Sequence, residues 1–196
     1  MSVKKNKPSN REIVLREASH LFLTKGFQVT SMDDIVAQSK VSKTNIYYYF
    51  KSKEELLLVI VDGLVSHYEQ RLNAIFLQDH VSVLGKLERL PAILTENDEQ
   101  ANYLGGCPFL TLYTQTSNES IEVRNRIQAF FQRQFVAVEQ LLAAGIANKE
   151  INPALPVEQT AALIISSIEG SLFIAKAANK PTLLKELFPA LALLLK

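Results

Sequence analysis

Residues 42–56 read SKTNIYYYFKSKEEL, and this stretch decides how the rest of the chain is understood. With Ser42 as an N-cap, its hydroxyl accepts a backbone N–H of the first turn. At 100° per residue, Ile46 and Phe50 then share one face and point into a core. Thr44 and Tyr48 emerge on the opposite face, flanked by Asn45 and Tyr47, with Tyr49 completing the run and Lys43 in the first turn. A hydroxyl, an amide, phenols and a cation are the groups that contact base edges and phosphates. A tyrosine run is also a common feature of partly buried helix surfaces. Ser52, followed three residues later by Glu55, forms a capping box, so a new helix starts at Lys53. The free N–H groups at that start, with Lys51 and Lys53 beside them, offer a seat for a phosphate.

Upstream, Val14, Ala18, Leu21 and Phe22 fall at i, i+4, i+7 and i+8, which predicts an amphipathic helix from Arg11 to Lys25. Gly26 is placed to end it with a left-handed cap. Thr30 or Ser31 then caps a short helix with Met32, Ile35 and Val36 inward, and Asp33 and Asp34 sit where the helix dipole favours anions. A turn around Lys40 and Val41 separates it from the tyrosine-rich helix. Three short helices in this arrangement make a helix-turn-helix, whose second member enters the major groove of DNA.

On these residues the segment from 11 to about 60 resembles the DNA-binding domain of the TetR/AcrR family of bacterial transcriptional regulators. The matching words are KGFQVTSMDDIV, VSKTNIYYYF and KSKEELL. The resemblance implies an all-α homodimer that represses a promoter until a small molecule loosens it. It also implies DNA contacts at Thr30, Lys43, Thr44, Tyr47, Tyr48, Tyr49 and Lys53, to which the helix reading adds Ser42 and Asn45. Two positions depart from the family pattern. Lys40 stands at a turn position usually held by Gly, and Thr44 at a position often Gly at the start of the recognition helix.

Composition sets the frame. The chain has 196 residues, 47% of them hydrophobic, with seven glycines and seven prolines, enough to bury a substantial core. Apolar periodicity is helical throughout, without strand alternation, a Gly-rich phosphate loop or an internal repeat. The absence of an 18-residue uncharged apolar run and of a leader pattern predicts a cytoplasmic, nucleoid-associated protein. A single cysteine excludes an internal disulfide. The net charge of +1 hides an asymmetry: residues 1–55 hold ten Lys/Arg against six Asp/Glu, and the remainder eleven against fourteen. A basic module joined to an acidic one suits a nucleic-acid contact at the amino end. Lys4, Lys5 and Lys7 make residues 1–10 a flexible arm that either reaches phosphates or serves solubility. The expected domains are this arm, a helix-turn-helix domain over 11–55, and a helical effector-binding and dimerisation domain over 56–196.

In the larger domain, the helix from Lys53 is expected to reach Leu77, followed by helices near 80–95, 108–116, 118–149, 156–179 and 182–195. The last two look like a dimer seam, with Ile164, Ile168, Ser171, Leu172 and Ala175 on one helix and Leu187 and Leu191 on the other. Pro189 is expected to kink or restart the final helix. Tyr103, Phe109, Tyr113, Phe130, Phe131, Gln134 and Phe173 are candidates for an effector pocket, or simply core. Glu169 stands in the apolar run LIISSIEGSLFIA, where it either pairs with a buried group or selects a cationic or hydrogen-bonding ligand. Cys107, in Gly105-Gly106-Cys107-Pro108, is placed as a helix N-cap. There it is either a thiolate able to sense oxidants and electrophiles, or an inert buried thiol.

Enzyme chemistry finds little support. His20, His67 and His80 are scattered, and no metal-ligand spacing, cofactor motif or nucleophile elbow is present. The expected partners are therefore double-stranded operator DNA, a small-molecule effector and a second copy of the chain. A helical module that binds protein through its helix-turn-helix is the alternative.

Overall fold

The computed structural model describes residues 7–95, 106–116 and 120–196. Among them the chain forms α-helices and no strand, so the protein is all-α as expected. Helix α1, Asn10–Leu21, starts at Ser9, whose hydroxyl accepts the Glu12 N–H while the Glu12 carboxylate accepts the Ser9 N–H at 2.7 Å. After Leu21 the α-helix does not run on to Lys25. It widens into one π-helical turn, Phe22–Gly26, and Gly26 leaves it at φ +114°, a backbone region that glycine reaches without a steric penalty.

Helix α2, Met32–Ser39, is capped by Ser31 rather than Thr30, in a capping box with Asp34. Those bonds and Lys25 hold the Asp34 carboxyl down at about 2. Lys40 closes α2 in the left-handed region, φ 57° and ψ 19°. Helix α3, Lys43–Tyr49, follows from Ser42, whose hydroxyl accepts the Asn45 N–H at 3.3 Å. Ile46 and Phe50 are buried as their spacing required. They pack with Val14, Ala18, Phe22, Ile35 and Leu56 into the core of the reading unit.

Helix α4, Lys53–Phe76, begins at Ser52 and runs straight through the expected boundary at residue 55, so the two parts of the chain share a rigid helix. Behind it lie α5 (Val83–Thr95), α6 (Pro108–Gln115), α7 (Ile121–Ala147), α8 (Val157–Ala177) and α9 (Leu183–Leu194). α9 continues through Pro189. The long helices α4 and α7 lie side by side, joined by Arg126–Asp62 at 3.3 Å and Arg133–Glu69 at 2.6 Å. Such exposed ion pairs contribute at most about 1 kcal/mol each. Apolar packing decides the arrangement: Phe109 stacks on Phe130 at 4.0 Å and meets Tyr68 edge-on at 5.2 Å. α7 and α8 end in backbone-closed caps, with Lys149 and Asn179 left-handed and the next N–H donating to the carbonyls of Gly145 and Ala175.

The expected dimer stripe needs correction. Ile164, Ile168, Ser171 and Leu172 are buried within the chain, as is Leu191, while Ala175 and Leu187 are half-buried. They form the contact of α8 with α7, α9 and the cavity below. α8 is apolar around more than one face; length and composition alone would let it cross a membrane. Its outer face presents Leu163, Phe173 and Ile174, and α9 adds Leu193 and Leu194, all about half exposed or more.

Candidate nucleic-acid interface and effector cavity

α3 is seven residues long, roughly 10 Å at 1.5 Å per residue, a length that fits across a major groove about 12 Å wide. Its outward surface is narrower than the sequence reading. Tyr48 is 75% exposed and Tyr47 38%, and Lys43 and Thr44 are exposed beside them. Tyr49 is half-buried, edge-on to Tyr48 at 5.2 Å and tilted against Phe50. Asn45 also leans inward: its Oδ1 is enclosed and has no hydrogen-bond partner. Lys43 reaches back to Asp33 of α2 at 2.7 Å, which raises its pKa and fixes the cation at the edge of α3.

Two residues expected to contact DNA also make contacts within the chain. The Thr30 hydroxyl is buried and donates to the Gly26 carbonyl at 2.7 Å, so the side chain is spent on the π turn. The Lys53 ammonium sits 4.4 Å over the Phe27 ring and donates to the carbonyls of Phe27 at 2.8 Å and Thr30 at 3.0 Å. It braces the start of α4 against the loop before α2, and its donors face carbonyl oxygens. The phosphate seat expected at the α4 start is already occupied by a carboxylate. Glu55 accepts the Lys51 N–H at 2.6 Å while donating its own N–H to Ser52. Lys51 Nζ donates to the Tyr47 carbonyl at 3.2 Å and remains exposed.

Among the described residues, a polar tie connects this unit to the domain behind it. Gln115, the last residue of α6, accepts the Phe27 N–H at 2.7 Å through Oε1, and its carbonyl accepts from Gln28 Nε2 at 2.9 Å. The other end of α6 rests on α8. Gly106, at φ +78°, lies so close that a Cβ there would stand 2.5 Å from the Leu172 carbonyl oxygen. Next to it the Cys107 thiol lies beside the Glu169 carboxyl. One short helix thus runs from the Glu169 neighbourhood to the loop that carries α2.

Glu169 opens onto a cavity between α4, α5, α7 and α8. Its walls are Tyr68, Leu72, Phe76, Leu90, Ile93, Phe130, Phe131, Gln134, Val138, Ile165 and Ile168, and its empty space, mouth included, is about 510 Å³. Phe130, Phe131, Gln134 and Glu169 were expected in a pocket and lie here together. The other candidates do not. Phe109 is fully buried core, Tyr113 is covered by the Arg124 guanidinium at 4.0 Å, and Phe173 points outward from α8 at 55% exposure. Tyr103 lies outside the described residues. Desolvation raises the Glu169 carboxyl to about 7, and its Oε2 has no partner. Burial and the nearby carboxylate push the Cys107 thiol well above its ordinary value. Cys107 does cap α6, with Pro108 first in the helix. The thiol is fully buried, so desolvation opposes any stabilisation of a thiolate by the helix dipole.

The amino-terminal model for the tetR family of bacterial regulatory proteins matches residues 14–60, and the C-terminal domain model for tetracyclin repressor-like proteins matches residues 84–191. The chain belongs to the tetR family. It is 28% identical over 189 residues to an HTH-type transcriptional regulator of Lactococcus lactis, covering 95% of this chain and 93% of that protein. A TetR transcriptional regulator from Chloroflexus aurantiacus superposes with a TM-score of 0.79 at 28% identity, over 93% and 92% of the two chains. FadR from Bacillus subtilis, solved with stearoyl-CoA, shares the fold at a TM-score of 0.73 and 20% identity, over 93% and 96%. As a TetR-family protein the chain is a DNA-binding transcriptional regulator. The features of this TetR protein that its sequence concealed are long-range: the Lys53 brace, the Gln115 tie and the placing of Cys107 beside Glu169. Only the Gly105-Gly106-Cys107-Pro108 run hinted at the last of these, through a glycine pair before a helix start.

Proposed function

We propose that this TetR-family regulator is a cytoplasmic homodimeric repressor. Two copies of α3 enter the major groove of an operator on the chromosome, and a small molecule in the cavity releases them. The observation that carries the reading is the outward face of α3: Lys43, Thr44, Tyr47 and Tyr48 stand exposed on a helix whose other face is locked in core. Thr44 and Tyr47 are positioned for base edges, and Lys43, Tyr48 and the Ser42 hydroxyl for flanking phosphates. Lys53 and Thr30 act by holding the loop before α2. Asn45 and Tyr49 set the tilt of α3 on its core, and the arm residue Lys7 is exposed for a further phosphate.

The second copy fits on α8 and α9. Leu163, Phe173 and Ile174 surround Gly170, where a Cβ would meet nothing within 4 Å. A large apolar face with a flat, small-residue centre suits a symmetry-related helix pair. The effector acts by binding one dimer state more tightly, a coupling commonly worth about 1–3 kcal/mol.

The test begins with selection of bound duplexes from a random pool. The selected sites should read as inverted repeats, and affinity should fall steeply with salt. Tyr48→Phe should weaken binding to all sites alike, and Thr44→Ala should relax preference at one base. Ile174→Asp, at a position 52% exposed, should yield a folded monomer by sedimentation with operator affinity reduced at least about tenfold. Affinity insensitive to salt, or unchanged in all three variants, would sink the reading in favour of a protein-binding module.

A further inference from the structure

Among the described lining residues of the cavity, Glu169 is the only charged one, and the wall around it is otherwise apolar or aromatic apart from Gln134 and the Tyr68 hydroxyl. Its Oε2 is enclosed without a hydrogen-bond partner. The Cys107 thiol, from the start of α6, lies beside the carboxyl group. A buried carboxyl oxygen left unsatisfied costs free energy, on the order of 1–3 kcal/mol or more for a charged group. No basic residue is among the described groups that line the cavity with it. A partner carried in from outside would remove that cost.

We propose that Glu169 is the polar anchor for an effector made of an apolar, aromatic-sized body and a single ammonium head. The inference rests on the cavity being the effector site proposed above, and it names the chemistry that site selects. An N–H of the ammonium would satisfy Oε2 and hold the carboxylate in its charged form. The rings of Tyr68, Phe130 and Phe131 add favourable faces for a cation and its hydrocarbon body. Carboxylate-headed ligands would place like charges together in a desolvated space and are excluded. Neutral alcohols would fill the cavity with only an ordinary hydrogen bond.

Three probes of nearly equal size separate these cases: phenethylammonium, 2-phenylethanol and phenylacetate, each titrated calorimetrically into the full-length protein without DNA. The ammonium should bind at least about tenfold more tightly than the alcohol, with no heat from the carboxylate. Glu169→Gln should erase the preference for ammonium over alcohol, and Glu169→Asp should keep it at reduced affinity. Circular dichroism establishes that both variants are folded. Equal affinity for ammonium and alcohol, a preference that survives Glu169→Gln, or no binding of the ammonium at millimolar concentration would each overturn the proposal. Release of operator by the same probe is a separate readout. Binding without release would count against ligand-gated repression while leaving the anchor intact.

Discussion

The reading unit and the domain behind it start their helices in opposite ways. Each of α1, α2, α3 and α4 begins with a serine whose hydroxyl accepts an N–H three residues on: Ser9, Ser31, Ser42 and Ser52. α7, α8 and α9 begin at Ser120, Pro156 and Thr182 with no side-chain cap bond at all. Within the reading unit, α2 and α3 have only eight and seven residues, too little surface to be held by packing alone, and lean on their ends. Helices of 21 and 27 residues are positioned by the faces they bury.

The sharpest way to break this contrast is to disturb packing where α6 meets α8. Gly106→Ala would force a Cβ to within 2.5 Å of the Leu172 carbonyl oxygen at a positive φ. Left-handed strain and overpacking together should cost about 2–4 kcal/mol. Denaturant titration should show the midpoint falling accordingly. An unchanged midpoint would mean that α6 does not rest on α8 as described.

Next in size comes the Glu169 carboxyl, lifted by burial from 4.5 to about 7. An acid whose folded pKa lies above its unfolded value holds its proton more tightly when folded. Its favourable contribution is therefore fully present below about pH 4.5 and is lost as pH rises through about 7. The denaturation midpoint of the parent should fall across that window. Glu169→Gln should be flatter there, and a parallel pair of curves would show the carboxyl to be solvated.

This division also explains what could be read beforehand. Local spacing was enough for Ile46 and Phe50 inside, Tyr48 outside and serine caps at Ser42 and Ser52, because each depends on neighbours within one turn. The bracing role of Lys53 was not legible, because its spacing says nothing of the Phe27 and Thr30 carbonyls, more than twenty residues away, that hold it. The same holds for α8. Periodicity identified an apolar stripe, yet Ile164 and Leu172 face the chain's own core and Leu163 and Ile174 face out. A helix apolar on several sides gives no phase by which to choose.

A paired substitution tests the capping contrast directly. Ser31→Ala removes the acceptor of the Asp34 N–H and should cost about 1 kcal/mol, whereas Ser120→Ala at the start of α7 should stay within about 0.5 kcal/mol. Equal losses would mean that α7 has a cap in solution.

The smallest effect belongs to the turn between α2 and α3. Lys40 sits at φ 57°, where an L-residue with a long side chain is strained by roughly 1–2 kcal/mol. Lys40→Gly removes that strain but gives the unfolded chain more freedom, an opposing term of about 0.4–1 kcal/mol. The net expectation is a gain of about 0.5 kcal/mol, read as a slightly higher melting temperature. Lys40 is exposed and its N–H still donates to Val36, so the helices should keep their angle and the selected operator should not change. A shifted operator preference would show that the strained turn is what aims α3.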